Sequence, residues 1–157
     1  MRFVVQRVTE AACRVDGRVT GEIGKGFMVL AGVSDSDTEA VADRMLDKLL
    51  KLRIFEDAAG KTNLSLSDAG GSVLMIPQFT LYADIRKGNR PSFTGAGKPE
   101  HAEALYRCLL AGLRARIGEE KTACGVFGAD MKISLLNSGP FTVIMDSDEL
   151  FSAPKLL

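Results

Sequence analysis

Histidine is nearly absent from this chain. Among its 157 residues only His101 can supply an imidazole. A Ser-His-Asp triad would hang on that single side chain, and a metal site with two histidines is excluded. His101 stands in PEHAEAL, at the start of a helical stretch, where an exposed or capping role is the ordinary use. Cysteine is scarce too: Cys13, Cys108 and Cys124 are odd in number, scattered and free of CxxC spacing. That leaves neither a disulfide framework nor a zinc site and points to a reducing compartment. Long apolar runs are missing. The longest, near GFMVLAGV, has about eight residues, far short of a membrane span. The opening MRFVVQRVTE is too short in apolar residues before Gln6 and Arg7 for a signal peptide. The expected location is the cytoplasm, away from membranes. A charge excess of either sign is absent as well, with 20 Lys plus Arg against 20 Asp plus Glu. Proteins that coat nucleic acid through many phosphates are basic, so a nucleic-acid partner here would be gripped over a small footprint. Nucleotide fingerprints are missing: GKGFMV puts Val29 where GxGxxG needs its third glycine, and no GxxxxGK[ST] loop occurs. No cofactor and no metal are expected.

What is present is ordinary globular composition, 46% hydrophobic and 25% charged. A chain of this length fits one domain, residues 1–157, burying roughly 70% of its unfolded surface. Residues 2–9 and 12–16 read as strands, with a turn at Asp16-Gly17, followed by strands at 18–23 and 26–33. FMVLAGV is continuous and apolar, as expected of a strand covered on both faces. Ser36 and Glu39 match a capping box, and Val41, Met45, Leu49 and Leu52 recur at helical spacing, which predicts a helix over 37–52. Short strands are expected near 52–56, 63–66 and 72–82. A second helix opens at Pro99, carries the stripe Ala102, Leu105, Leu109 and Leu113, and ends at Gly118. Residues 121–146 are strand-rich again, and the tail DSDELFSAPKLL has no clear assignment. Many strands and two main amphipathic helices, without βαβ alternation, give α+β with a largely antiparallel sheet or barrel.

Three polar stretches stand out. In PQFTL, 77–81, Gln78 and Thr80 alternate with Phe79 and Leu81, as on a strand with one polar face. The loop ADIRKGNRPSFTGAGK, 83–98, has no periodicity, and sixteen such residues in a compact domain are often functional. Its RKGNRPSF segment sets cations, Lys87 and Arg90 among them, beside Phe93, where one or two phosphates could be met. The third stretch is NSGPFTVIM, where a Gly-Pro step interrupts a run that otherwise reads as strand. Proline lacks a ladder N–H and glycine weakens a strand interior. A hairpin turn is the simplest account.

Taken in order, these stretches resemble the D-aminoacyl-tRNA deacylases, editing enzymes that remove D-amino acids from mischarged tRNA. QRVTEAACRVDGRVTGEIGKG resembles the family's opening strands and RIFEDAAGKTNLSLSDAGGSVL its centre. QFTLYAD, the RPSF loop and NSGPFT resemble its signature motifs. The likeness runs along essentially the whole chain. It implies a homodimer whose active sites are built at the interface. It also implies a Gly-cis-Pro bond at Gly139-Pro140, inserted by one subunit into the pocket of the other. Its carbonyls would bar an L-side chain by steric exclusion while a D-residue directs its side chain away. Glycine has no side chain to exclude, so glycyl-tRNA is an expected substrate too. Arg7, in the QRV stretch, is expected to hold the Gly-Pro orientation, and Met131, in the ADM stretch, to pack near it.

The implied reaction is metal-free hydrolysis of the ester at the terminal adenosine of tRNA, with Gln78, Phe79 and Thr80 at the catalytic centre. Thr80 is the obvious hydroxyl, but the sequence offers no base beside it to activate a nucleophile. The favoured route is therefore assistance by the tRNA's own ribose hydroxyl, with backbone N–H groups of Phe79-Thr80 stabilising the oxyanion. Lys87 and Arg90 are the candidate contacts to the tRNA acceptor end. One departure from the family pattern matters: position 77 is proline where the family usually reads SQFTL, so a hydroxyl and a backbone N–H are both missing. The alternatives are a non-catalytic dimer binding RNA ends or a small ligand, and a hydrolase of N-substituted D-amino acids.

Overall fold

The computed structural model describes residues 1–152. Its frame is one long strand, β1 (Arg2–Val15), along which less buried and buried residues alternate from Arg2 to Arg7. The strand does not break between 9 and 12 as the sequence predicts. β1 pairs antiparallel with β2 (Arg18–Ile23) and β3 (Gly26–Gly32) along one edge and with β8 (Lys132–Asp146) along the other. Pairing to β8 resumes on both sides of Thr9, at Val8 and Glu10, with register shifts between Gln6 and Glu10. β6 (Ser72–Pro77) lies parallel to β3, and β7 (Thr122–Cys124) lies parallel to β6. β2 and β7 come side by side, so the mixed sheet nearly closes into a barrel. A separate two-stranded ribbon joins β4 (Phe55–Glu56) to β5 (Thr62–Leu64).

The period of two sorts the strands' apolar residues onto two faces. Phe3 and Val5 of β1, Phe27, Val29 and Ala31 of β3, and Val73 and Met75 of β6 face the helices. Val8, Ala11, Cys13, Met28, Leu74 and Ile76 form a second cluster on the other face, inside the near-barrel. This is why FMVLAGV and SVLMI carry no polar alternation: both faces of β3 and β6 are covered.

The helix α1 (Glu39–Leu50) buries Ala42, Met45, Leu46 and Leu49. Its N-cap is Thr38, which accepts from the Val41 N–H, so the Ser36 capping box does not form. Ser36 instead contacts the Ser34 hydroxyl. The helix α2 (Pro99–Ile117) begins at the proline and stops at Gly118, both as the sequence predicts. Its stripe is Ala102, Leu105, Leu109 and Leu113, widened by Tyr106 and Leu110. The tail forms a short helix, α3 (Ser147–Phe151), capped by the Asp146 carboxylate. The last part of the tail, 153–157, lies outside the described residues. Among the described residues no helix is long and apolar enough to cross a membrane.

Candidate active site

The strand predicted over 72–82 ends at Pro77, and residues Phe79–Tyr82 form a 3-10 turn. The ladder stops because its neighbour stops: β3 ends at Gly32, and the last bond is from Gln78 N–H to the Ala31 carbonyl, 2.8 Å. Beyond it the chain satisfies itself locally, with Leu81 N–H on the Gln78 carbonyl and Ala83 N–H on the Thr80 carbonyl. The polar-face reading of Gln78 and Thr80 on a strand is therefore replaced. On the turn they meet each other, Gln78 Nε2 donating to Thr80 Oγ1 at 2.5 Å. The N–H groups of Phe79 and Thr80 open the turn, where a helix has no partner of its own to offer them.

Beside the turn is a groove of about 660 Å³, bounded by Gln78, Phe79, Phe93, Tyr106, Phe127 and Met131. Phe79 and Phe93 are both exposed and meet edge to face, ring centroids 5.1 Å apart. Tyr106 stands at the buried end, its hydroxyl 3.0 Å from the Met75 carbonyl and 2.9 Å from that of Gly125. Burial pushes the Tyr82 hydroxyl up to about 12 and raises that of Tyr106 as well, so both stay protonated at neutral pH. The groove's carboxylate, Asp130, is exposed and paired with Lys132. Thr80 thus has an amide donor for its side-chain partner and, among the described residues, no base hydrogen-bonded to it. Among the described residues no group of three or more His, Cys, Asp or Glu side chains could hold a metal ion.

The Gly-Pro step is not a hairpin. β8 runs through it without reversing, and Gln6 faces Thr142 while Val8 faces Asn137. Ser138, Gly139, Pro140 and Phe141 therefore bulge out opposite Arg7 alone. The Gly139-Pro140 peptide is cis, and both residues are exposed. Asn137 ties the ends of the bulge, its Oδ1 accepting from Phe141 N–H at 2.8 Å and its Nδ2 donating to Thr142 Oγ1 at 3.0 Å. Arg7 supports the bulge from within. It is 8% exposed. Its Nε donates to the Ser138 carbonyl at 3.0 Å and its Nη1 to the Ile54 carbonyl at 2.7 Å. Its guanidinium lies 4.7 Å from the Phe141 ring centroid.

A model of the family described as D-Tyr-tRNA(Tyr) deacylase matches residues 4–146. The chain belongs to the D-Tyr-tRNA(Tyr) deacylase family. A D-aminoacyl-tRNA deacylase from Anaeromyxobacter dehalogenans is 52% identical over 151 residues, covering 96% of this chain and 100% of the relative. One from Deinococcus radiodurans is 55% identical over 149 residues, covering 93% and 99%. Among solved structures, "c-Myc DNA Unwinding Element Binding Protein" superposes with a TM-score of 0.88 at 40% identity, covering 93% of this chain and 98% of that one. "Structural Analysis of a probable eukaryotic D-amino acid tRNA deacylase" gives 0.81 at 21% identity over 92% and 97%, a likeness of fold. The family and the α+β deacylase fold are those the motifs imply.

Within this deacylase chain, the residues singled out from sequence fall into three places. Gln78, Phe79 and Met131 share the groove, and Thr80 is exposed on the adjoining turn. Arg7, Gly139 and Pro140 form the second group, away from it. Arg7 pairs with Phe27 of β3 whereas Gln78 bonds Ala31, four residues further on and so roughly 13 Å along the strand. Met131 accordingly sits with the turn and not with its own chain's Gly-Pro bulge. Lys87 and Arg90 form the third group, exposed on a loop pinched by backbone bonds between Asp84 and Ser92, while Lys98 is the cation at the groove. Beside that pinch, hydrogen bonds from Arg86 hold the Asp84 carboxyl down to about 2. Sequence reasoning missed Tyr106, and also Arg2, whose Nη1 donates to the Leu81 carbonyl of the turn at 3.0 Å. A tyrosine within α2's leucine stripe was the available signal for the first, since a buried hydroxyl needs a partner. Nothing local signals the second.

Proposed function

We propose that this chain hydrolyses the ester of D-aminoacyl-tRNA, and of glycyl-tRNA, to free amino acid and tRNA while sparing L-aminoacyl esters. The observation that carries the activity is the family match over residues 4–146. Selectivity is assigned to Gly139-Pro140. The dipeptide is exposed on a bulge fixed by Arg7 and Asn137 and lies away from the groove of its own chain. Both facts fit a homodimer in which the bulge of one protomer enters the groove of the other. Among the described residues β8 pairs only with β1, which leaves a long edge for another chain to cover. Its outward side chains include Leu136, 58% exposed, and Ile144, 74% exposed. In that assembly Met131, Gln78 and Phe79 meet the partner's dipeptide, and each protomer, residues 1–157 acting as one domain in the cytoplasm, carries half of two sites.

The reaction follows from what the turn offers. Phe79 and Thr80 N–H groups are free to stabilise the carbonyl oxygen as it gains charge, an effect of about 3 kcal/mol. The neighbouring ribose hydroxyl of the terminal adenosine supplies the acid-base function that the groove lacks. Orientation of the ester against it supplies up to roughly 7–11 kcal/mol. Thr80→Ala should therefore retain most of the rate. Near-complete loss of rate with binding intact would restore a threonine nucleophile. Lys87, Arg90 and Lys98 are the proposed contacts to phosphates of the acceptor end.

The deciding experiment is hydrolysis of D-tyrosyl-, L-tyrosyl- and glycyl-tRNA side by side, with chelator present. Rapid loss of the D and glycyl esters with the L ester spared is the expected result. Equal loss of D and L esters would remove the Gly-Pro filter. No hydrolysis by a folded dimer would favour a module that binds nucleic-acid ends. The 40%-identical DNA-binding neighbour gives that reading some support, and the balanced charge opposes it.

A further inference from the structure

Arg2 ties three elements together at the groove end of the sheet. In the ladder it lies between Gly32 of β3 and Asp146 of β8. Its Nε donates to Asp146 Oδ2 at 2.7 Å, and its Nη1 reaches over Gly32 to donate to the Leu81 carbonyl at 3.0 Å. Its guanidinium carbon is 4.5 Å from the centroid of the Tyr82 ring. Asp146 is itself held, since its Oδ1 accepts from the Asp148 N–H at 2.9 Å and caps α3. Gly32 makes the approach possible. A Cβ there would stand 3.0 Å from Leu81 Cβ and 3.1 Å from the Gln78 carbonyl oxygen.

Leu81 and Tyr82 are the last two residues of the turn whose first two are Phe79 and Thr80. A 3-10 turn this short has few internal bonds, so its direction is set by what grips it from outside. Arg2 grips the backbone of one end and the ring of the next residue. An ion pair with both members partly exposed adds little to folding, so this arginine is better explained by the turn it holds than by stability.

We propose that Arg2 is a positioning residue for deacylation. It fixes the Leu81-Tyr82 end of the turn so that Phe79 and Thr80 keep their N–H groups directed at the developing oxyanion. Arg2 touches no substrate and acts through the turn, and the inference rests on the reading that this turn carries the reaction.

The test compares Arg2→Ala, Arg2→Lys, Asp146→Asn and Thr80→Pro, the last removing one of the N–H groups. Single-turnover hydrolysis of D-tyrosyl-tRNA gives the rate constant and the half-saturating enzyme concentration, with Tm measured alongside. Arg2→Ala should lower the rate constant roughly 10- to 100-fold, as small misplacements do. Half-saturation should change less than about twofold, the mark of an interaction made in the transition state. Tm should stay near that of the parent. Arg2→Lys, which keeps a donor for Leu81, should recover part of the rate, and Asp146→Asn should give a smaller loss of the same kind. If Thr80→Pro abolishes hydrolysis while Arg2→Ala and Asp146→Asn keep the parent rate, the positioning role is overturned and the turn survives. If Thr80→Pro itself keeps the parent rate, the turn reading fails and takes Arg2 with it. Should Arg2→Ala not fold, a folded Asp146→Asn with the parent rate overturns the proposal, and one with a selective loss of rate supports it.

Discussion

At the scale of single residues, the Gly-Pro bulge turns on two side chains, one absent and one buried. Gly139 has a φ of +131° and faces Arg7, whose Nη2 would lie 2.9 Å from an added Cβ. Gly139→Ala therefore meets both an unfavourable backbone and the guanidinium that supports it. Its ratio of D- to L-tyrosyl-tRNA hydrolysis should fall by about tenfold or more, with the fold retained, when the two rates are measured in parallel. Arg7→Ala should act on stability first. It removes the donors to the Ser138 and Ile54 carbonyls. A buried acceptor left unpaired costs about 1–3 kcal/mol. A loss of about 2–4 kcal/mol in urea unfolding is expected, and Arg7→Lys should recover less than half of it. The sequence marked Gly139, Pro140 and Arg7 through their motifs. It gave no sign of Ile54, whose carbonyl is a backbone group 47 residues from its donor.

At the scale of elements, the long pair β1–β8 is closed at one end by Arg2 and Asp146, directly opposite each other in register. Burial pushes the Asp146 carboxyl up, but hydrogen bonds from Arg2 and from the Asp148 N–H, with the nearby charges, outweigh it, and the net shift is downward from 3.8. A depressed carboxyl contributes stability that is fully present above its unfolded value and is lost as pH falls through its folded one. The stability difference between the parent and Asp146→Asn should be small, hold from pH 7 down toward 3.8 and then shrink as the pH falls further, in chemical denaturation at stepped pH. A difference that persists unchanged at lower pH would assign the effect to packing instead. The helices were legible because their signals are local: Pro99 and Gly118 bound α2, and the leucine stripe sets its face. The choice of Thr38 over Ser36 as the cap of α1 was not, because both are good caps. Ser34 N–H bonds Asp37, and the helix is capped two residues after Ser36, at Thr38.

At the scale of the whole molecule, the separation of groove and bulge makes a prediction about assembly. Ile144→Asp, on the exposed face of β8, should yield a folded monomer by sedimentation, with hydrolysis of D-aminoacyl-tRNA lost because neither groove receives a bulge. A monomer with full activity would show that the site is complete in one chain. The balanced charge of 20 against 20 makes a second. Affinity for tRNA should fall only shallowly with salt, with a logarithmic slope corresponding to about two to four phosphates. A slope equivalent to eight or more would require a footprint well beyond Lys87, Arg90 and Lys98.

The sequence by itself determined the elements with a local cause: β3 from its unbroken apolar run, α2 from its proline, glycine and stripe, and the family from motifs in a fixed order. It also narrowed the proposed chemistry, because one histidine and no base beside Thr80 point to positioned backbone and substrate. The tertiary structure decided what distance in sequence conceals. It made QFTLY a turn, since β3 ends beneath it, and kept its own chain's Gly-Pro bulge out of the groove beside that turn. It also brought Arg2 to a carbonyl 79 residues away. Register across a sheet is fixed by the packing of many residues at once, and no short stretch of chain contains it.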